Sequence, residues 1–171
     1  MKTIYLAGGC FWGTEHFMGL LHGVTDTEVG YANSIVPNPD YRRVCTGTTE
    51  AAETVKVTYD PQQASLWWLL EMFFRTIDPT SLNRQGNDVG TQYRTGIYYT
   101  DPGDEVVILD AVKELQSRYR RPLMIEVGRL VNFYPAEDYH QDYLVNNPRG
   151  YCHINRELMR MASSARDPEH L

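Results

Sequence analysis

The sequence predicts an α/β sandwich built on a mixed sheet. Short apolar runs with the two-residue period of strands alternate with segments of helical period, and the 171 residues suffice for one core without staples. No internal repeat or low-complexity tract interrupts that alternation.

Residues 3–7 form a short buried strand. After Cys10, the apolar residues Phe17, Leu20, Leu21 and Val24 share one stripe of a helix, with Gly13 at its start. Residues 27–31 are extended, and a polar, proline-bearing loop over residues 32–39 leads to Tyr41. Val55, Val57 and Tyr59 alternate with Lys56 and Thr58 as in a half-buried strand, which Asp60-Pro61 ends. Ser65 caps a helix over residues 66–74 that is apolar nearly all round, so it is expected against a sheet on one side and covered on the other.

Residues 80–92 have almost no apolar side chains and no period. They are dense in side chains that bond their own backbone and join two strongly patterned segments, which points to an ordered site loop rather than disorder. A strand over 96–99, an amphipathic helix over 104–119 and a strand over 124–127 follow. A short helix over 135–144 is expected to open with Pro135, Glu137 and Asp138. The domain is read as residues 1–154, and residues 155–171 as a polar tail with at most a helical turn or two around Glu157 and Met161.

The formal net charge of −6, with no basic cluster longer than Arg118-Tyr119-Arg120-Arg121, argues against nucleic acid or an anionic membrane as partner. No apolar run approaches the roughly 18 residues that span a bilayer. With a single Lys2 and no signal-like segment at the amino terminus, the chain reads as soluble and cytoplasmic. The three cysteines Cys10, Cys45 and Cys152 are too few and too scattered for a disulfide framework, and no Cys-x-x-Cys pair suggests zinc. No metal or organic cofactor is expected, and cysteine chemistry here points to catalysis.

The run Gly8-Gly9-Cys10-Phe11-Trp12-Gly13 places a thiol where a strand turns into a helix. Unpaired amides and the positive end of the helix dipole favour an anion there, so the Cys10 pKa is expected to fall toward neutrality. Read alone, Cys10 is equally a small buried hydrophobe; Phe11 and Trp12 beside a polar turn look like a pocket wall. Tyr41, Glu53, Asp88 and Tyr93 lie at strand edges or in polar loops, where phenols and a carboxyl group could serve an oxygen that gains charge. Cys152 follows Gly150-Tyr151 in an irregular segment and could approach an oxidised partner. Glu137 and His140 have a metal-binding spacing without the matching carboxylates. His140 could instead serve Cys10 as the base of a cysteine hydrolase or acyltransferase. A binding module for oxidised or unfolded segments, using Phe11 and Trp12, is a third reading.

Several ordered blocks carry a family resemblance. Gly-Gly-Cys-Phe-Trp-Gly-Thr-Glu at residues 8–15, Asn38 to Gly47, Gln85 to Arg94, Ala136 to Gln141 and Asn147 to Cys152 resemble the peptide methionine sulfoxide reductases of the A type. The resemblance implies a two-layer, ferredoxin-like α/β sandwich and thiol-dependent reduction of methionine S-sulfoxide, free or in proteins. It implies Cys10 as nucleophile, Phe11 and Trp12 as walls for the substrate methyl group, and Glu53 as proton donor to the sulfoxide oxygen. By the same resemblance Tyr41 and Tyr93 hold that oxygen, Asp88 supports the site, Cys152 resolves the sulfenic acid to a disulfide, and thioredoxin is the reductant. The chain departs from the family pattern at Glu50-Ala51, where Gly-His is usual, and at Asn33-Ser34, which replace glycines; no second recycling cysteine follows Cys152.

Overall fold

The amino-terminal strand becomes the middle of the sheet. In the computed structural model, which describes residues 1–170, the elements run β1 (Lys2–Ala7), α1 (Phe11–Leu20), β2 (Val24–Ala32), α2 (Tyr41–Cys45), β3 (Ala52–Tyr59) and α3 (Leu66–Phe74). They continue with β4 (Arg84–Gln85), β5 (Asp88–Val89), β6 (Thr95–Tyr99), α4 (Asp104–Gln116), β7 (Ile125–Arg129), β8 (Phe133–Pro135), α5 (Tyr143–Asn146) and α6 (Arg156–Ser164). Six strands form one sheet in the order β7-β6-β1-β3-β2-β8, and β4 pairs with β5 as a separate hairpin. Every neighbouring pair is antiparallel except β6 with β7, so the sheet is mixed. Within it, β1-α1-β2-β3-α3-β6 with spatial order β6-β1-β3-β2 is the ferredoxin-like unit.

Register explains the core. Leu6 is paired with both Val55 and Ile97, and Val55 with Val29, so four fully buried side chains cross the sheet in one row on one face. Helices α1, α3 and α4 supply Phe17, Met18, Leu69, Leu70, Phe73, Ile108 and Ala111 to the same core. The alternate residues Tyr5, Ala7, Ala32, Ala52 and Tyr98 form a smaller cluster with Leu130 and Phe133 on the opposite face. Since side chains alternate along β3, Glu53 shares the helix-covered face with Val55 and is carried beneath the start of α1.

Four local expectations are revised. Val24 does not extend the helical stripe: α1 ends at Leu20, Gly23 turns the chain at φ +96°, and Val24 opens β2. Helix α4 stops at Gln116, whose side chain binds the Tyr119 and Arg121 carbonyls of the following turn. Residues 135–144 are not one helix, because Pro135 closes β8 against Gly30 and Asp142 adopts a left-handed conformation at φ 51°. A 3-10 turn, Asp138–His140, and the short α5 remain. Beyond residue 154, α6 is a nine-residue helix rather than a turn or two, since the Asn155 side-chain Oδ1 accepts from the Leu158 amide and Ala162 is buried. Ser65 caps α3 as its sequence suggests, accepting from the Trp68 amide.

Glu50 is exposed and held at φ 57°, a conformation that costs a β-carbon-bearing residue roughly 1–2 kcal/mol. Allowing for the greater chain entropy of glycine when unfolded, Glu50→Gly should raise stability by about 0.5–1 kcal/mol. A higher urea midpoint at unchanged m-value is the expected result.

Candidate active site

Two glycines carry the chain from β1 into α1, and close contacts exclude side chains from both. A β-carbon at Gly8 would lie 2.8 Å from the Phe73 ring; one at Gly9, whose φ is +89°, would lie 2.7 Å from Gln85 Cβ. Cys10 thereby occupies the N-cap of α1 and is buried. Its thiol pKa is nevertheless raised, against expectation. Burial and then the Glu53 charge push it up, and they outweigh the Trp12 amide, which favours the thiolate. A helix terminus lowers a thiol pKa only when it outweighs the loss of water.

Glu53 is 1 % exposed, and its Oε1 accepts from the Phe11 amide at 3.2 Å. Oε2 is buried with no hydrogen-bond partner. Burial pushes the carboxyl pKa up to about 8, with Asp88 adding to the rise and the Phe11 amide opposing it. The group thus retains its proton at neutral pH. The Glu50 side chain is exposed and is not among the causes of that rise.

Two phenols share the environment. Tyr41, the first residue of α2, and Tyr93, in the 3-10 turn Thr91–Tyr93, are half-buried, and both pKa values are raised by burial and by Glu53. Both therefore remain protonated donors well above neutral pH. The Tyr41 amide donates to Glu137 Oε2 at 3.0 Å, and the Tyr31 hydroxyl donates to Glu137 Oε1 at 2.8 Å. Asp88 accepts from the Tyr151 hydroxyl at 2.8 Å, joining the β4–β5 hairpin to the segment that carries Cys152. That cysteine is half-buried, and its thiol donates to the Ile154 carbonyl at 3.4 Å. Cys45 is exposed at the end of α2.

The aromatic wall is fixed from behind. Trp12 Nε1 donates to His140 Nδ1 at 3.0 Å, while the Trp12 ring stacks on Tyr143 at 3.7 Å between centroids. Phe11 is 1 % exposed and packs near Tyr31 and His140. This arrangement overturns the hydrolase reading. His140 Nδ1 is engaged by Trp12, burial lowers the ring's pKa, and His140 makes no hydrogen bond to Cys10. The sequence reading overlooked Tyr31, Tyr143 and Tyr151 as supports, because each depends on a partner more than 60 residues away or on a stack across elements. Glu137 and His140 had been weighed as a metal-binding spacing, and His140 as a base for Cys10, rather than as supports.

The fold and this geometry define an α/β protein organised around a buried thiol and a proton-bearing carboxyl group. The sequence profile of the peptide methionine sulfoxide reductase family matches residues 2–170. A peptide methionine sulfoxide reductase MsrA of Mycoplasma genitalium is 55 % identical over 154 residues, covering 90 % of this chain and 98 % of that protein. The crystal structure of reduced Mxr1 from Saccharomyces cerevisiae superposes with a TM-score of 0.84 at 39 % identity, covering 90 % of this chain and 91 % of that one. Mxr1 in complex with Trx2 gives a TM-score of 0.58 at 27 % identity, covering 83 % and 84 %. This chain belongs to the peptide methionine sulfoxide reductase family, A type.

A raised carboxyl pKa has a consequence for stability. The unfolded chain loses the Glu53 proton near pH 4.5, while the folded chain keeps it to about pH 8, so the folded state binds more protons between those values. Stability contributed by the neutral group is full below that window and declines as pH rises through it. Glu15, pushed up to about 7 mainly by burial, acts in the same direction. Urea unfolding from pH 5 to 8 should show falling stability for the parent protein and a shallower fall for Glu53→Gln.

Proposed function

We propose that the chain reduces methionine S-sulfoxide, free or in oxidised proteins, to methionine, with thioredoxin returning the enzyme to its dithiol form. The observation that carries the reading is the Glu53 carboxyl group, buried and protonated at neutral pH, at the first turn of the helix that begins with Cys10. Oxygen leaves sulfur readily only once protonated, and a carboxylic acid out of water is suited to supply that proton.

In this mechanism the Cys10 sulfur attacks the sulfoxide sulfur while Glu53 gives its proton to the oxygen. The carboxylate left behind takes the thiol proton, so the step is neutral overall, and Cys10 emerges as sulfenic acid with methionine released. Tyr41 and Tyr93 donate hydrogen bonds to the oxygen as it gains charge, and Asp88 supports them. Phe11 and Trp12 enclose the substrate methyl group, with Trp12 held by His140 and Tyr143. Cys152 then condenses with the sulfenic acid to a disulfide, which thioredoxin reduces. The comparison with Mxr1 bound to Trx2 supports that reductant.

Residues 1–154 form the catalytic unit in this reading, with 155–171 as an appended tail. No helix among the described residues is long and apolar enough to cross a membrane. The cytoplasm, where thiols are kept reduced, suits a cycle that must return to free thiols.

Fully reduced protein mixed with a methionine sulfoxide peptide, without reductant, should release one equivalent of methionine and form a Cys10–Cys152 disulfide. No release would overturn the assignment, and release without that bridge would remove Cys152 from the cycle. In single turnover, Glu53→Gln should slow oxygen transfer by about 10²–10⁴-fold while leaving substrate binding largely intact. It should also abolish the decline in rate that the parent shows as pH rises through about 8.

A further inference from the structure

One ring beside the two cysteines has no part in the mechanism above. His153 lies over the opening turn of α1. A β-carbon built at Gly9 would lie 3.2 Å from His153 Nε2, and one at Gly13 would lie 3.2 Å from Nδ1 and 3.1 Å from Cys152 Sγ. The imidazole therefore spans the turn that carries Cys10, and one end shares a neighbour with the Cys152 sulfur. Both ring nitrogens are buried, and neither makes a well-formed hydrogen bond, the Gly8 carbonyl being the one acceptor close enough to act on the ring. Burying both nitrogens without a well-formed hydrogen bond is costly for a ring with only a packing role.

We infer that His153 moves the proton in the resolving step, taking it from the Cys152 thiol as that sulfur attacks the Cys10 sulfenic acid. The inference rests on the assignment of Cys152 as the resolving cysteine. One S–S bond forms and the Cys10 S–O bond breaks. The Cys152 sulfur is oxidised and the sulfenic sulfur reduced. The proton passes through the imidazole to the departing hydroxide, which leaves as water. Burial lowers the ring's pKa, although Asp88 and the Gly8 carbonyl favour its cation, so it is a neutral acceptor at neutral pH. The titratable groups placed beside it are Asp88 of β5, Cys10 in the turn between Gly9 and Gly13, and Tyr151 and Cys152 on its own segment. The Cys152 thiol, its own pKa raised by burial, is a poor nucleophile without a base.

The test mixes reduced protein rapidly with a methionine sulfoxide peptide and follows methionine, dimedone-trapped sulfenic acid and the Cys10–Cys152 disulfide in the same quenched samples. In His153→Gln and His153→Asn the methionine burst should stay within about twofold, while disulfide formation slows by about 10²-fold and the trapped sulfenic acid persists. The pH profile of disulfide formation should lose its imidazole inflection and recover only where Cys152 ionises unaided. Parent-like resolution with the parent pH profile would overturn the inference, as would equal slowing of both steps. A parent protein that releases methionine but never forms the Cys10–Cys152 bridge would instead overturn the resolving role of Cys152.

Discussion

A carboxyl group carried under the first turn of a helix, with one oxygen tied to a backbone amide and the other to nothing, governs the site. Glu53 owes its place to the pleat of β3: Val55 on the same face lies in the fully buried row with Leu6, Ile97 and Val29, so the acid two residues away is drawn into the same dry layer. From there its charge acts on Cys10, Tyr41 and Tyr93, and each is harder to ionise for it. Keeping the acid neutral relieves all three at once.

The sheet explains the precision of the surrounding groups. Tyr31, paired with Glu53 in the β2–β3 ladder, reaches Glu137, and Glu137 in turn accepts from the Tyr41 amide. The start of α2 is thus referenced to the same strands that place the acid. On the other side, His140 and Tyr143 fix Trp12 by a hydrogen bond and a stack. The pocket wall and the phenol are therefore set by side chains whose own positions are constrained, which is how a site keeps its geometry.

Much of this was legible in the chain because it is local. The two-residue period at Val55 and Val57, the Ser65 cap and the Gly8-Gly9 turn each act within a few residues, and all lie where their patterns indicate. The thiol pKa was misjudged because a helix terminus is visible in sequence but burial is not. The helix expected over 135–144 failed because a short apolar period there competes with strand pairing to Gly30 and with the left-handed Asp142. Helix α6 was underestimated although Asn155 is a capping residue at its head, since its polar composition concealed the buried Ala162. The remaining supports, Tyr151 on Asp88 above all, join positions that no periodic pattern relates.

The segment between α5 and α6 takes no part in the sheet, and Tyr151 reaches across from it to Asp88 of the small hairpin. Such a strand-free stretch opens at a free-energy cost set by a few side-chain contacts, well below that of global unfolding. Amide exchange can therefore be rapid over residues 147–155 while the β1 and β3 amides remain protected. In the proposed cycle the sheet-borne groups serve oxygen transfer and the strand-free segment serves disulfide exchange, and the two regions differ in stability because they differ in backbone pairing.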